Sequence, residues 1–134
     1  MNAMTLPLSR KKTITLLNAF IADVLPKKQW FLSCKPFMNA AVFYGSRAKN
    51  NHRADSDIDI LIFMPLAVEK KYTRGEYVYN YYGHHINIVI RSIERLRRIA
   101  AFREKDLFEA EIFRMAEIIW QKDTEVAQLI KKII

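Results

Sequence analysis

The chain has 134 residues, of which 51% are apolar, with three glycines and four prolines. It can bury one core, and no linker or low-complexity tract divides it, so we expect a single domain over residues 1–134. Its 22 basic and 14 acidic residues leave a formal net charge of +8. This charge favours an anionic ligand or partner, whether a nucleotide, a nucleic acid or an acidic protein surface, without choosing among them.

Two further features of the composition exclude classes of protein. No run of about 18 or more uncharged apolar residues is present, and the amino terminus, MNAMTLPLSRKK, lacks the apolar core of a secretory signal. Cys34 is the only cysteine, which excludes an internal disulfide and a cysteine-based zinc cluster. We therefore expect a cytoplasmic protein without a membrane partner, while homo-oligomerisation stays open.

The first predicted element is a helix over residues 9–25, which Pro26 ends. The aromatic residues Trp30, Phe31 and Phe37 follow in a segment that is predicted to be irregular, where they are expected to contact the core or a partner. Residues 1–37 thus form a helical extension before the main fold. The helix is predicted because one of its faces is apolar, through Ile14, Leu17, Ile21 and Leu25.

A short apolar run over residues 40–44 is predicted to be a buried strand that ends in a sharp turn at Gly45. Ser46 can cap a short helix after this turn, so that its hydroxyl and the neighbouring N–H groups face an incoming phosphate. The segment therefore predicts an anion-binding turn.

The second predicted strand begins with two acids, in the order Asp57, Ile58, Asp59, Ile60. Because successive side chains of a strand point to opposite faces, Asp57 and Asp59 share one face and the isoleucines enter the core. Adjacent carboxylates repel unless a cation lies between them, and Mg²⁺ takes oxygen ligands together with substrate phosphates. Alone, the Gly45–Ser46 turn would be an ordinary turn, and the acid pair would be the solvated start of an edge strand. Together they predict a nucleotide site.

Residues 76–82 and 86–90 are predicted to form a hairpin with a turn at Gly83 and His84. Its row of tyrosines could stack a base, although strand propensity explains the row better. His84 and His85 could be metal ligands or a general base, but they are expected to be exposed turn residues. Glu76 is a weaker candidate acid. The tyrosines are Tyr77, Tyr79 and Tyr81.

Helices are predicted from Ser92, from Asp106 and from Asp123 or Thr124. Together with the strands, they predict an α+β (or α/β) fold, in which helices flank a small mixed sheet. Residues 38–121 would form the core of this fold, and residues 122–134 a C-terminal helix.

The segment YGSRAKNNHRADSDID, with ten residues between Ser46 and Asp57, resembles the signature of the nucleotidyltransferase superfamily that includes DNA polymerase beta. Within it, the spacing is similar to that of minimal nucleotidyltransferases, small proteins often encoded beside a helical partner of the HEPN type. The resemblance implies a nucleotidyltransferase-like fold in which Asp57 and Asp59 are catalytic and bind Mg²⁺. It also implies that ATP, or another nucleoside triphosphate, is held by Gly45, Ser46, Arg47 and Ser56.

One position departs from the pattern of this family. Members commonly supply a third carboxylate from a later strand, within an apolar–acid–apolar pattern, and Asn87 stands there in this chain. An asparagine carries no charge and cannot act as a base, so the second metal or the activation of the nucleophile would be weakened.

Two functional hypotheses follow from these observations. The first is a minimal nucleotidyltransferase that transfers a nucleoside monophosphate to a hydroxyl acceptor, such as a tyrosine of a HEPN-type toxin partner, as an antitoxin would. The second is a catalytically degenerate protein that binds a nucleotide or a partner, which Asn87 favours. Nucleic-acid binding is supported by charge alone, and small acceptors such as aminoglycosides would need a site that so short a chain can hardly supply.

Overall fold

The computed structural model describes residues 9–44, 57–72, 77–102 and 113–134. In these ranges, a five-stranded mixed sheet has the strand order β3-β4-β2-β1-β5, and five α-helices flank it, which confirms the predicted α+β class. The strands are β1 (Ala40–Tyr44), β2 (Ile58–Met64), β3 (Tyr77–Tyr81), β4 (His84–Ser92) and β5 (Glu117–Gln121). The helices are α1 (Arg10–Asp23), α2 (Gln29–Cys34), α3 (Leu66–Tyr72), α4 (Ile93–Phe102) and α5 (Glu125–Ile133).

Helix α1 begins where the sequence predicts it. The Ser9 side chain accepts a hydrogen bond from the Lys12 backbone N–H at 3.2 Å, which satisfies one of the free donors of the first turn. Pro26 lies in a 3-10 turn, Leu25–Lys27, just after the helix. The predicted irregular segment is wrong for Trp30 and Phe31, which lie in the short helix α2 and pack on or within the core.

The hairpin between β3 and β4 turns one residue earlier than predicted. Tyr82 and Gly83 form the turn, with φ angles of 49° and 81°. Two consecutive positive φ angles match the twist of a two-residue hairpin connection. His84 is therefore the first residue of β4 and not part of the turn.

The two faces of the sheet carry separate cores. On the face that we call the N-terminal face, Ile58, Ile60 and Ile62 of β2 pack with α1 and α2. On the other, which we call the C-terminal face, Leu61 and Phe63 pack with α4 and α5. Strand β2 is thus buried on both sides along most of its length.

The carboxyl-terminal part of the sheet contains a strand that the sequence did not predict. Strand β5 pairs antiparallel with β1, with a register shift between Ala41 and Val42. Of the helix predicted from Asp106, residues 106–112 lie outside the described residues. Helix α4 begins after Ser92, whose hydroxyl accepts from the Arg95 N–H at 3.1 Å, as predicted for a cap. No helix in the described ranges is long and apolar enough to span a bilayer.

Candidate active site

The acid pair lies at the start of the central strand of the sheet. Asp57 immediately precedes β2, and Asp59 is the second residue of that strand. Strand β2 lies between β4 and β1, so the alternative of a solvated edge strand is wrong. The isoleucines between and after the acids, Ile58 and Ile60, are fully buried, as the alternation predicts.

The register of the strands places Asp59 in a row across the C-terminal face. Tyr44 of β1 pairs with Asp59, Asp59 pairs with Asn87 of the parallel strand β4, and Asn87 pairs with Val78 of β3. Neighbouring strands lie about 4.8 Å apart, so side chains of one row on one face are adjacent. Asn87 therefore lies directly beside Asp59, at the position where the family pattern that the sequence resembles has a third acid.

A second row lies one step closer to the open end of the same face. Ile58 pairs with Ile86, so the residues that precede them, Asp57 and His85, are neighbours in adjacent strands. His85 in turn pairs with Asn80 of β3. Asp57, His85 and Asn80 are all exposed, so this row faces solvent.

The amide of Asn87 is held against the half-buried acid. Its Nδ2 donates to Oδ1 of Asp59 at 3.4 Å, while its own Oδ1 is buried and has no hydrogen-bond partner among the described residues. A buried polar atom without a partner is costly and typical of functional sites. The neutral amide also lowers the negative charge of the site relative to a third carboxylate.

These residues fit a hard divalent cation. Among the described residues, no cluster of three His, Cys, Asp or Glu side chains could by itself hold a metal, but two carboxylates at one strand end, with an amide oxygen nearby, are all-oxygen donors. Mg²⁺ is usually bound by one or two carboxylates and completes its shell with water and substrate phosphates. Asp57 and Asp59 would hold such an ion.

The other predicted site residues have mixed outcomes. Gly45, Ser46, Arg47 and Ser56, with Glu76, lie outside the described residues. Tyr44, which directly precedes Gly45 in the sequence, pairs with Asp59, so the chain leaves β1 beside the acid pair.

His84 and His85 are strand residues, which corrects their predicted position in a turn. They point to opposite faces of β4, because successive side chains alternate. His85 shares the C-terminal face with Asn87, whereas His84 lies on the N-terminal face with Ile86. His85 and Asn87 are two residues apart, and residues at this spacing in a strand share a face, so the sequence already contained the signal that places His85 beside Asn87.

The single thiol of the chain lies away from this site. Cys34 is buried in the core beneath the N-terminal face, and this burial raises the pKa of its thiol. A buried thiol with a raised pKa is a poor nucleophile.

Comparison with known proteins agrees with the fold and with the class of site. The model of the nucleotidyltransferase domain family matches residues 35–124, and the chain belongs to this family. Nucleotidyl transfer is the activity after which this family is named.

A nucleotidyltransferase-like protein from Exiguobacterium sibiricum has a similar structure, with a TM-score of 0.50 and 10% sequence identity. The match covers 92% of this chain and 38% of the other, so this chain spans well under half of that protein. At this identity the similarity shows the fold alone. Comparison with curated protein sequences gives no match.

Proposed function

We propose that the protein is a minimal nucleotidyltransferase, which binds ATP with Mg²⁺ and transfers a nucleoside monophosphate to a hydroxyl acceptor. The observation that carries the proposal is the arrangement of Asp57, Asp59 and Asn87 at one end of two parallel central strands. Adjacent carboxylates at the exposed end of a strand favour a cation between them, which suits a cation-dependent phosphate site.

In the proposed reaction, the acceptor oxygen forms a bond to the α-phosphorus of the nucleotide. The bond from that phosphorus to the bridging oxygen breaks, and pyrophosphate leaves with its electron pair. Mg²⁺ bound at Asp57 and Asp59 supplies charge stabilisation for this transfer. The hydroxyl proton passes to solvent, because the Asn87 amide cannot accept it.

The phosphates of the nucleotide are assigned to the turn after β1. Gly45 and Ser46 would hold them through backbone N–H groups and a hydroxyl, as the resemblance to this family implies. Arg47 and Ser56 complete the proposed nucleotide site. The position of Tyr44 beside Asp59 supports this assignment, because it brings the last residue of β1, which Gly45 follows in the sequence, to the acid pair.

The resemblance to minimal nucleotidyltransferases also suggests an acceptor and a partner. We propose a tyrosine of a HEPN-type helical protein as the acceptor, in which case the chain acts as an antitoxin in the cytoplasm.

A direct test is nucleotide transfer by a variant with both acids replaced. Asp57→Asn with Asp59→Asn should lower pyrophosphate release by at least about a hundredfold, because the cation and its charge stabilisation are lost. The matched control is Asp23→Asn, which alters an exposed acid on α1 that pairs with Lys27. Turnover that survives in the double variant would remove these acids from the mechanism.

A second function, a nucleotide- or partner-binding module without chemistry, is favoured by Asn87. The neutral amide occupies the position beside Asp59 where an acid could activate the acceptor. Tight ATP binding without pyrophosphate release, even when a candidate acceptor is supplied, would support this module over the enzyme.

A further inference from the structure

The hairpin of β3 and β4 exposes three side chains beside the acid pair, Val78, Asn80 and His85, which we call the hairpin strip. Val78 pairs with Asn87, and Asn80 pairs with His85. They share the C-terminal face with Asp59, so the strip continues the two rows of the site toward the edge of the sheet. Val78 lies two strand spacings, or roughly 10 Å, from Asp59.

The hairpin strip is not part of a core. The side chain of Val78 is 62% exposed, which is high for a valine in a strand, and Asn80 and His85 are also exposed. The residues that alternate with them, Tyr77 and Tyr79, pack instead against the N-terminal face core. The side chains that anchor β3 to the core therefore lie on the N-terminal face, and the hairpin strip is available to a ligand.

The charge of this hairpin is unusual for the chain. Between Tyr77 and Ser92 there is no Asp or Glu, and the single Lys or Arg is Arg91. Arg91 pairs with Phe63, far along β4 from the site. The strip is therefore an uncharged surface in a protein of net charge +8.

We propose that the hairpin strip is the acceptor subsite, and that it takes a hydroxyl side chain of a polypeptide. The inference rests on the proposed function, because it assigns a binding site to the acceptor of that reaction. The His85 imidazole hydrogen-bonds the acceptor oxygen, and Val78 contacts the apolar part of the side chain that carries it. Asn80 hydrogen-bonds a polar group next to that side chain.

The position of the strip assigns it to the acceptor and not to the nucleotide. In the sheet order, β1 lies on one side of β2, and β4 and β3 lie on the other. Transfer in line requires the attacking oxygen and the leaving pyrophosphate on opposite sides of the phosphorus. With the nucleotide phosphates on the β1 side, the acceptor oxygen approaches from the side of His85.

The chemistry of the strip favours a polypeptide over two other acceptor classes. A polynucleotide needs Lys or Arg side chains to neutralise its phosphates, and none lies near the strip on this hairpin. A polycationic sugar needs several acids around it, and apart from Asp57 and Asp59, which the proposal assigns to the cation, the hairpin itself supplies none. In the described part of the chain, β3 has no strand on its outer side, so an extended polypeptide segment can pair along it.

The first test is a binding experiment that does not depend on turnover. The chain has three histidines, His52, His84 and His85, whose imidazole NMR signals can be assigned through His84→Gln and His85→Gln variants. N-acetyltyrosine amide should shift the His85 signals and leave those of His84 unchanged, whereas kanamycin and a uridine oligonucleotide should shift neither. Equal shifts at both histidines, no shift at His85, or a larger His85 shift with either comparator would overturn the inference.

The second test measures transfer from ATP to a tyrosine-containing peptide. His85→Ala should raise the KM for the peptide roughly three- to tenfold, the worth of one hydrogen bond, with the Kd for ATP unchanged. His84→Ala is the matched control on the opposite face and should leave both constants unchanged. His85→Gln, which keeps a hydrogen-bonding group, should restore part of the loss, and Val78→Lys should raise the KM as well.

The two tests separate failure of the subsite from failure of the proposed function. If the wild-type protein binds no ATP, the enzyme hypothesis fails, and the NMR titration still decides whether the strip binds a phenol. If ATP binds and transfer occurs, but His85→Ala and His84→Ala have equal KM values, the site is an enzyme site and the acceptor subsite lies elsewhere.

Discussion

The two faces of the sheet differ in how far helices cover them. On the N-terminal face, α1 and α2 pack over β2 from its first residue, and Ile58, Ile60 and Ile62 are each at most 1% exposed. On the C-terminal face, α4 and α5 cover Leu61 and Phe63, while Asp59 is half-buried and Asp57 is exposed. One strand therefore supplies a closed core on one side and a polar open end on the other.

This comparison teaches how the fold supports a site without weakening its core. Because side chains alternate along a strand, the isoleucines hold β2 rigidly, and the acids on the other face lie outside the core, where a ligand can reach them. Residues on rigid strands are positioned more accurately than those on loops. The acids can then change with little effect on stability, which the following predictions test.

The largest difference between the faces should appear when neighbouring residues of β2 are changed. Ile60→Ala should lower the free energy of unfolding by about 2–5 kcal/mol, because it leaves a cavity in a fully buried position. Asp59→Asn, one residue away, should change it by less than about 1 kcal/mol, since its side chain lies on the open end. Urea denaturation measures both, and equal losses would show that the two faces do not differ.

A change at Asn87 tests whether the open face of the sheet is a catalytic surface. Asn87→Asp should raise turnover by at least about tenfold if the missing acid limits it, since a positioned base contributes roughly 10²–10⁴-fold. The new carboxylate would lie beside Asp59, so Mg²⁺ should raise the Tm of this variant more than that of the wild type. Steady-state kinetics and thermal denaturation measure these effects, and Asn18→Asp, at an exposed position of α1, serves as the control. Unchanged turnover would mean that no acid is needed beside Asp59.

The closed face should be sensitive to the loss of one buried hydrogen bond. Trp30 Nε1 donates to the Tyr79 hydroxyl at 2.8 Å, and the Trp30 ring stacks on Tyr77 at 4.6 Å between centroids. Tyr79→Phe should lower the free energy of unfolding by about 1 kcal/mol, because the indole N–H loses its acceptor. The same change should leave the Kd for ATP unaffected. Weaker ATP binding in this variant would show that the two faces are coupled.

The smallest effect is expected from the ion pair between the two helices of the C-terminal face. Arg97 donates two hydrogen bonds to Glu125, at 2.8 and 3.0 Å, and these hold the pKa of Glu125 below its ordinary value of 4.5. A lowered pKa in the folded state stabilises the protein above the ordinary value, and this contribution is lost as the pH falls through the lowered pKa. The pair is partly exposed, so its worth is within about 1 kcal/mol.

The Glu125→Gln variant tests the predicted direction of this pH dependence of stability. The variant should be slightly less stable than the wild type at pH 7, and the difference should be smaller at pH 3, which lies below the ordinary pKa of Glu125. Urea denaturation at the two pH values measures it. A stability difference of the same size at pH 3 would assign the effect to packing and not to charge.

Sequence patterns predicted the parts of the fold in which local and tertiary preferences agree. The strand that ends at Tyr44 and the alternation from Ile58 to Ile62 are confirmed, as is the cap at Ser92. The α2 helix was missed because it has six residues between two proline turns, and packing of Phe31 stabilises it more than propensity does. Strand β5 was missed because its consecutive apolar residues do not alternate.

Only part of the site could be predicted. The alternation of side chains along a strand can be read from a sequence, whereas the order in which strands pair cannot. The shared face of Asp57 and Asp59 follows from their spacing alone. That Asn87 lies beside Asp59, with His85 in the next row, needs the parallel pairing of β2 and β4, which joins strands far apart in the chain. The membership of the nucleotidyltransferase domain family is confirmed, whereas the roles of the site residues stay predictions.

The most direct test of the central claim is titration calorimetry of ATP into the protein, with and without Mg²⁺, and into the variant with Asp57→Asn and Asp59→Asn. We predict that ATP binds the wild-type protein only with Mg²⁺ and that the double variant loses this binding while its unfolding curve stays unchanged. Equal binding by both proteins would contradict the assignment of the acids, and no binding to the wild type in either metal condition would leave a partner-binding module as the function.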